Sequence, residues 1–136
     1  MSETVTLATD TIHSPHDPRH FMALKPVKRL VRICRGDRLI ADTRDALRLI
    51  EVGRGVYEPT LYIPKTDVQA LLRKTDKTTR CPLKGDACYF DLMDEADEVE
   101  AAEIAWAYDQ PFDFASDLAG RIAFYTVGLT VTEAPF

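Results

Sequence analysis

Side-chain character alternates strictly from Glu103 to Tyr108. Ile104, Trp106 and Tyr108 fall on one side of an extended chain, and Glu103, Ala105 and Ala107 on the other. A period of two marks a β-strand, because successive Cβ atoms point to opposite faces of a sheet. Other strand signals surround this one. Val27 opens an apolar, β-branched run through Leu30, Val31 and Ile33, with Arg29, Arg32 and Arg35 interleaved. Arg35-Gly36-Asp37-Arg38 reads as a tight turn and Leu39-Ile40-Ala41 as the returning strand. Thr60-Leu61-Tyr62-Ile63 is a short strand closed by Pro64. Two further β segments flank Lys84-Gly85-Asp86, and the second, Ala87 to Met93, leads into an acidic loop. A last β segment runs from Arg121 to Val127, and an apolar tail ends at Val131.

Helix signals are few. Thr66 with Gln69 three residues on has the form of a capping box, and Val68, Leu71 and Leu72 follow at i, i+3, i+4 spacing. This predicts one short helix over residues 66–73. Residues 43–52 suit either state: Ala46, Leu47 and Ile50 make a helix face, whereas Leu47 and Leu49 make a strand face. Residues 1–26, with Pro15, Pro18 and Pro26, read as an extended lead-in or strap. The expectation is a mainly β domain over residues 27–136 with one short helix, preceded by that lead-in.

Composition narrows the function classes. A chain of 136 residues fits one domain with a real core. A net charge of -5 argues against non-specific nucleic-acid or membrane binding. No apolar run approaches the ~20 residues of a membrane helix. Met1 to Asp10 has no basic and apolar signal pattern. Cys34, Cys81 and Cys88 are too few and too odd in number for a disulfide framework. Reduced thiols and a cytoplasmic location are expected.

Five blocks resemble a known bacterial family. They are Ile40-Ala41-Asp42-Thr43 with Ala46-Leu47-Arg48; Tyr62-Ile63-Pro64 with Asp67-Val68; Cys81-Pro82-Leu83-Lys84-Gly85-Asp86-Ala87-Cys88-Tyr89; Ala105-Trp106-Ala107-Tyr108; and Gly120-Arg121-Ile122-Ala123-Phe124-Tyr125. In that order, over about residues 27–130, they resemble the family catalogued as domain of unknown function 427, sometimes given a nucleotidyltransferase-like label. The resemblance implies a β-tent: two antiparallel sheets splayed from a shared edge. Similar folds occur in the drug-binding domain of cereblon, in methionine-R-sulfoxide reductases and in Yippee proteins, which usually pin the tent with zinc held by two C-x-x-C pairs. This chain lacks those pairs, so a zinc-less tent is expected. The family carries no established catalytic residues. No phosphate-loop or dinucleotide-loop pattern supports the nucleotidyltransferase-like label.

The residues that could carry chemistry each have a plainer reading. Cys81 is the one candidate nucleophile, with Arg80 and Lys84 near it in sequence. No histidine lies in its stretch, and the plainer reading is a small buried residue before Pro82. A Cys81–Cys88 disulfide would need suitable Cα spacing. His13, His16 and His20 lack the spacing of a helical ligand pair, and a joint site with Asp17 or Cys34 stays open. No metal and no cofactor are expected. Lys84-Gly85 could hold an anion on a glycine turn; otherwise Gly85 supplies a positive φ and Lys84 is solvated. The aromatic set Tyr57, Tyr62, Tyr89, Trp106, Tyr108, Phe124 and Tyr125 is either core or the wall of a pocket.

Charge is uneven: residues 73–84 are basic and 91–103 acidic, which reads as two solvated surfaces or as a complementary pair for self-association. The leading expectation is a small-molecule-binding module with Trp106 and Tyr108 as apolar wall, Lys84 and Gly85 at a charged turn, and Cys81 at the mouth. A thiol enzyme using Cys81 and a ligand-free homo-oligomeric interaction protein are the alternatives.

Overall fold

The computed structural model describes residues 8–136. It is mainly β, 56% strand against 7% helical. The strands are β1 (Ile12–His13), β2 (Phe21–Val27), β3 (Leu30–Arg35), β4 (Arg38–Thr43), β5 (Ala46–Val52), β6 (Thr60–Pro64), β7 (Leu72–Cys81), β8 (Gly85–Met93), β9 (Val99–Ala107), β10 (Arg121–Phe124) and β11 (Thr130–Ala134). Eight strands in the order β1-β2-β5-β6-β10-β9-β8-β7 form one curled antiparallel half-barrel, and β11-β3-β4 form a second, three-stranded sheet. The half-barrel has two wings, β1-β2-β5-β6 and β10-β9-β8-β7, hinged at the β6–β10 pairing of Arg121 with Pro64 and Ile122 with Ile63. Wings splayed from a shared edge are the tent geometry.

Two cores follow from this arrangement. The small sheet lies against the half-barrel through Val31, Ile33, Ile40 and Ala41, which meet Ile63, Cys88, Ala105, Ala107, Ile122 and Phe124. The space between the wings is filled by Met22, Leu47 and Leu49 on one side and Leu83, Ala87, Tyr89 and Tyr108 on the other. Ala115 and Leu118, from the 3-10 segment Asp113–Leu118, close that space. Apolar residues therefore occupy both faces of the central strands, and burying both faces stabilises a sheet that a single layer would leave half wet.

Several local expectations meet the structure directly. Gly36 turns the β3–β4 hairpin with φ +57, and a two-residue hairpin turn favours glycine for that left-handed geometry. Residues 46–52 are strand, paired along their length with β2, from Phe21 with Val52 to Val27 with Ala46. In the stretch read as lead-in, β1 and β2 are hydrogen-bonded strands of the half-barrel, and Met22 is 1% exposed.

The helix at 66–73 is corrected. Only Lys65–Asp67 turns, as a single 3-10 turn that starts from Pro64 without a side-chain cap. Val68 is extended and bridges Ala41, the amides of Gln69 and Ala70 donate to Ile40 O, and Leu72 already begins β7. Tertiary hydrogen bonds to β4 replace those a helix would have made. Leu71, a supposed inward position of the stripe, is 57% exposed.

Ile104 also departs from its expected companions. It joins the core under the small sheet, whereas Trp106 and Tyr108 belong to the core between the wings. The register of β9 on β8 shifts opposite Phe90–Leu92, and Glu103 has φ +49. A bulge of this kind adds twist and re-aims the side chains beside it.

The basic run is paired within the chain, though only Lys77 meets the acidic run itself. Lys77 pairs with Glu103, Lys74 with Asp109 and Arg80 with Asp86. These charges line β7, an edge strand, where they discourage pairing with another chain.

Candidate functional site

Between the wings lies a recess of about 200 Å³. Its wall is built from four strands. Leu49 and Glu51 come from β5, Thr60 and Tyr62 from β6, Tyr89 from β8 and Trp106 from β9, with Tyr57, Glu58, Lys84, Tyr108 and Tyr125 from the adjoining segments. Period-two alternation aims Leu47, Leu49 and Glu51 inward together, which places a carboxylate on an apolar face. Trp106 sits opposite Tyr89 on one side and Ala123 on the other. The small alanine leaves the indole room to lie half-buried, 4.4 Å from the Tyr125 ring and edge-on to Tyr62 at 6.5 Å. The indole Nε1–H donates to Tyr62 Oη at 3.2 Å. Trp106 and Tyr125 also line a second groove of about 330 Å³ that reaches Ile33 and Val131 of the small sheet.

The floor is charged. Lys84 and Glu51 side chains are 9% and 10% exposed, and the ammonium donates to Glu51 Oε1. His20 Nε2–H donates to the other oxygen, Oε2, at 2.6 Å. Burial raises the Glu51 carboxyl, but the Lys84 charge and the hydrogen bonds from His20 and Lys84 outweigh it and hold it below the ordinary glutamate value. Lys84 Nζ also stands 5.4 Å from the centre of the Tyr108 ring. Burial pushes the Tyr62 and Tyr108 phenols far above their ordinary values, so both remain proton donors at neutral pH.

His20 reaches this floor through a small hairpin. β1 and β2 pair Ile12 with Met22 and His13 with Phe21, and the turn is tied by Ser14 N–H to His20 O and His20 N–H to Asp17 O. His13 is engaged locally, with Nδ1 2.6 Å from Pro18 O and its ring stacked on Phe21.

Of the residues singled out from sequence, the structure brings Lys84, Trp106 and Tyr108 to one recess. Lys84 is not solvated, as its plainer reading had it, but turned inward onto Glu51. Cys81 and Gly85 do not line it. Cys81 is packed against the core between the wings, its Sγ within 4.8 Å of donor atoms of His20 and Glu51. Gly85, at φ +113, lies against Gln110, Pro111 and Phe112. Cys81 pairs with Gly85 and Cys88 with Thr78, so the two cysteines are not cross-strand partners, and all three thiols are free. Cys88 Sγ lies 3.4 Å from Ala107 O and from Asp109 Oδ2, and burial with that carboxylate raises its thiol above the ordinary value. Phe124 belongs to the core under the small sheet.

Sequence reading missed Glu51 and assigned His20 no partner here. The signal for Glu51 was present: once 46–52 is a strand, its alternation with Leu47 and Leu49 turns it inward. No local signal brings His20 to it, 31 residues away along the chain.

The fold and this recess define a small β-tent domain with an aromatic-walled, charge-floored cleft between its wings. Residues 23–133 match the family described as Domain of unknown function (DUF427), and the chain belongs to that family. A search of curated proteins finds no match. Among the described residues no helix is long and apolar enough to cross a membrane.

Proposed function

We propose that this domain binds a small ring-bearing molecule in the recess between the wings. The observation that carries this reading is the convergence of six aromatic side chains (Tyr57, Tyr62, Tyr89, Trp106, Tyr108 and Tyr125) around the buried Lys84–Glu51 pair. Aromatic walls with a few convergent polar groups are the usual make-up of a small-molecule site. The recess of about 200 Å³ has room for roughly six waters at about 30 Å³ each, which suits a single ring. Trp106 supplies a stacking face. The Tyr62 and Tyr108 hydroxyls remain protonated and able to donate, and Glu58 lies at the wall. The Lys84–Glu51 pair offers both charge signs to a polar substituent.

The reading is tested with benzamide, benzoate and benzylamine, one ring in neutral, anionic and cationic form. Saturable quenching of Trp106 fluorescence by at least one of them, with binding by calorimetry weakened in Trp106→Phe at unchanged melting temperature, is the expected result. Three unsaturable titrations, or full affinity in Trp106→Phe, would count against it.

A further inference from the structure

We propose that His20, Glu51 and Cys81 form a binding site for a borderline divalent transition metal, zinc being the ion their donors match. It goes beyond the recess and rests on a different observation. One imidazole nitrogen, one carboxylate oxygen and one Sγ lie within 4.8 Å of one another, from three separate parts of the chain. Zinc takes such mixed N, O and S donors at roughly 2.0–2.3 Å, often as three protein ligands with an open fourth position. Tetrahedral geometry at those lengths sets donors roughly 3.5 Å apart. Closing the triangle therefore asks each side chain to move by about an ångström or less.

The shape of the cluster favours a metal over a nucleophile relay. In a thiol–imidazole–carboxylate relay the ring stands between its partners, using one nitrogen for each, so sulfur and carboxylate oxygen are well over about 6 Å apart. Here sulfur and oxygen lie within 4.8 Å. The three donors converge on a point instead of forming a line.

The surroundings fit a ligand set. Lys84 holds Glu51 Oε1, leaving Oε2 turned to the cluster. A hydrogen bond to the second oxygen is how outer groups fix a ligating carboxylate. His20 also lines a separate cavity of about 650 Å³ shared with His16 and Arg54. An ion with one carboxylate, one thiolate and the Lys84 ammonium beside it carries a net charge of about +1. The open fourth position suits a water or an anionic oxygen from that cavity. On binding, the thiol proton leaves to solvent, and the ligating His20 nitrogen carries no proton: where it is Nε2, the hydrogen bond to Glu51 Oε2 is given up and that proton moves to Nδ1. The absence of C-x-x-C pairs, which argued against zinc from sequence, concerns a different set of ligands.

The test titrates the chelator-treated full chain with Co²⁺. One ion per chain should give a sulfur-to-cobalt charge-transfer band in the near ultraviolet and the intense visible bands of a four-coordinate ion. One equivalent of Zn²⁺ should displace it. Cys81→Ser should remove the charge-transfer band, and His20→Gln should weaken binding at least about tenfold. Cys34→Ser and Cys88→Ser should change neither. Zn²⁺ should also raise the melting temperature of the wild type but not of Cys81→Ser or Glu51→Gln, each compared with its own metal-free form. No charge-transfer band, a band that survives Cys81→Ser, or full affinity in His20→Gln would overturn the proposal. Weak six-coordinate bands, from ions caught by surface histidines, would overturn it as well.

Discussion

Replacing Lys84 with methionine isolates the energetics of the charged floor. At about 3–3.5 Å and an effective dielectric of about 20, the attraction between Lys84 and Glu51 is on the order of 5 kcal/mol. Burying the two ions costs several kcal/mol each, so the net value of the pair is far smaller than that attraction. Removing one partner is different, because a nearly buried carboxylate is left behind. Losses of about 3–5 kcal/mol are typical for that. His20 still donates to Glu51 Oε2, which places the expectation for Lys84→Met at the lower end, about 3 kcal/mol, or a melting point lower by roughly 10 °C. Lys84→Met combined with Glu51→Leu removes both charges and should lie closer to wild type than Lys84→Met alone. Urea unfolding followed by circular dichroism measures all the variants. A loss below about 1 kcal/mol for Lys84→Met, or a double variant as unstable as the sum of its parts, would refute this account of the floor.

Four shorter predictions accompany it. Gly85→Val should cost on the order of 1–3 kcal/mol, since φ is +113 and a Cβ there would meet Gln110 O and Pro111 Cα at 3.4 Å; an unchanged melting temperature would exclude the strain. Thr43→Val should cost about 1–3 kcal/mol, because its hydroxyl donates to Asp67 Oδ2 at 2.7 Å and accepts from Asp45 N at 3.0 Å; chemical denaturation checks it. Trp106→Phe should expose its effect on binding of the single-ring compounds by calorimetry while leaving the unfolding midpoint within a few degrees. Stability should also fall with acid. The Glu51 carboxyl is lower in the folded than in the unfolded chain, so its contribution is present above the unfolded value of about 4.3 and fades as pH drops through the folded one. In Glu51→Gln, the slope of unfolding free energy against pH below about pH 4 should be shallower, and an identical slope would contradict the pairing.

Legibility followed the range of the interactions. β9 was readable as a strand because alternation is local, although the bulge at Glu103 separates Ile104 from Trp106 and Tyr108; the Gly36 turn was readable because a tight reversal needs left-handed backbone within two residues. The stripe at Val68, Leu71 and Leu72 misled because its helix period arose by coincidence. Ile40 O accepts the amides of Gln69 and Ala70, and a propensity worth a few tenths of a kcal/mol per residue yields to such bonds. Residues 46–52 were ambiguous for a related reason: Ala46 and Ile50, on the other face, add apolar positions at helical spacing to the alternating Leu47 and Leu49.

From the sequence alone came the mainly β class, the family, the positive φ at Gly85 and the pool of aromatic residues from which the wall is drawn. Each depends on neighbours along the chain or on motif order. Only the tertiary structure decided which aromatic rings face the recess, that Lys84 turns inward, and that Glu51 and His20 complete the floor. Those depend on β5 pairing with β2 and on the wings closing over β6 and β10. Cys81 shows the difference most clearly. Along the chain it has no histidine near it, yet folding carries His20, 61 positions away by its number, to within 4.8 Å. Sequence spacing holds no record of such a meeting, because the register of strands far apart in the chain sets it.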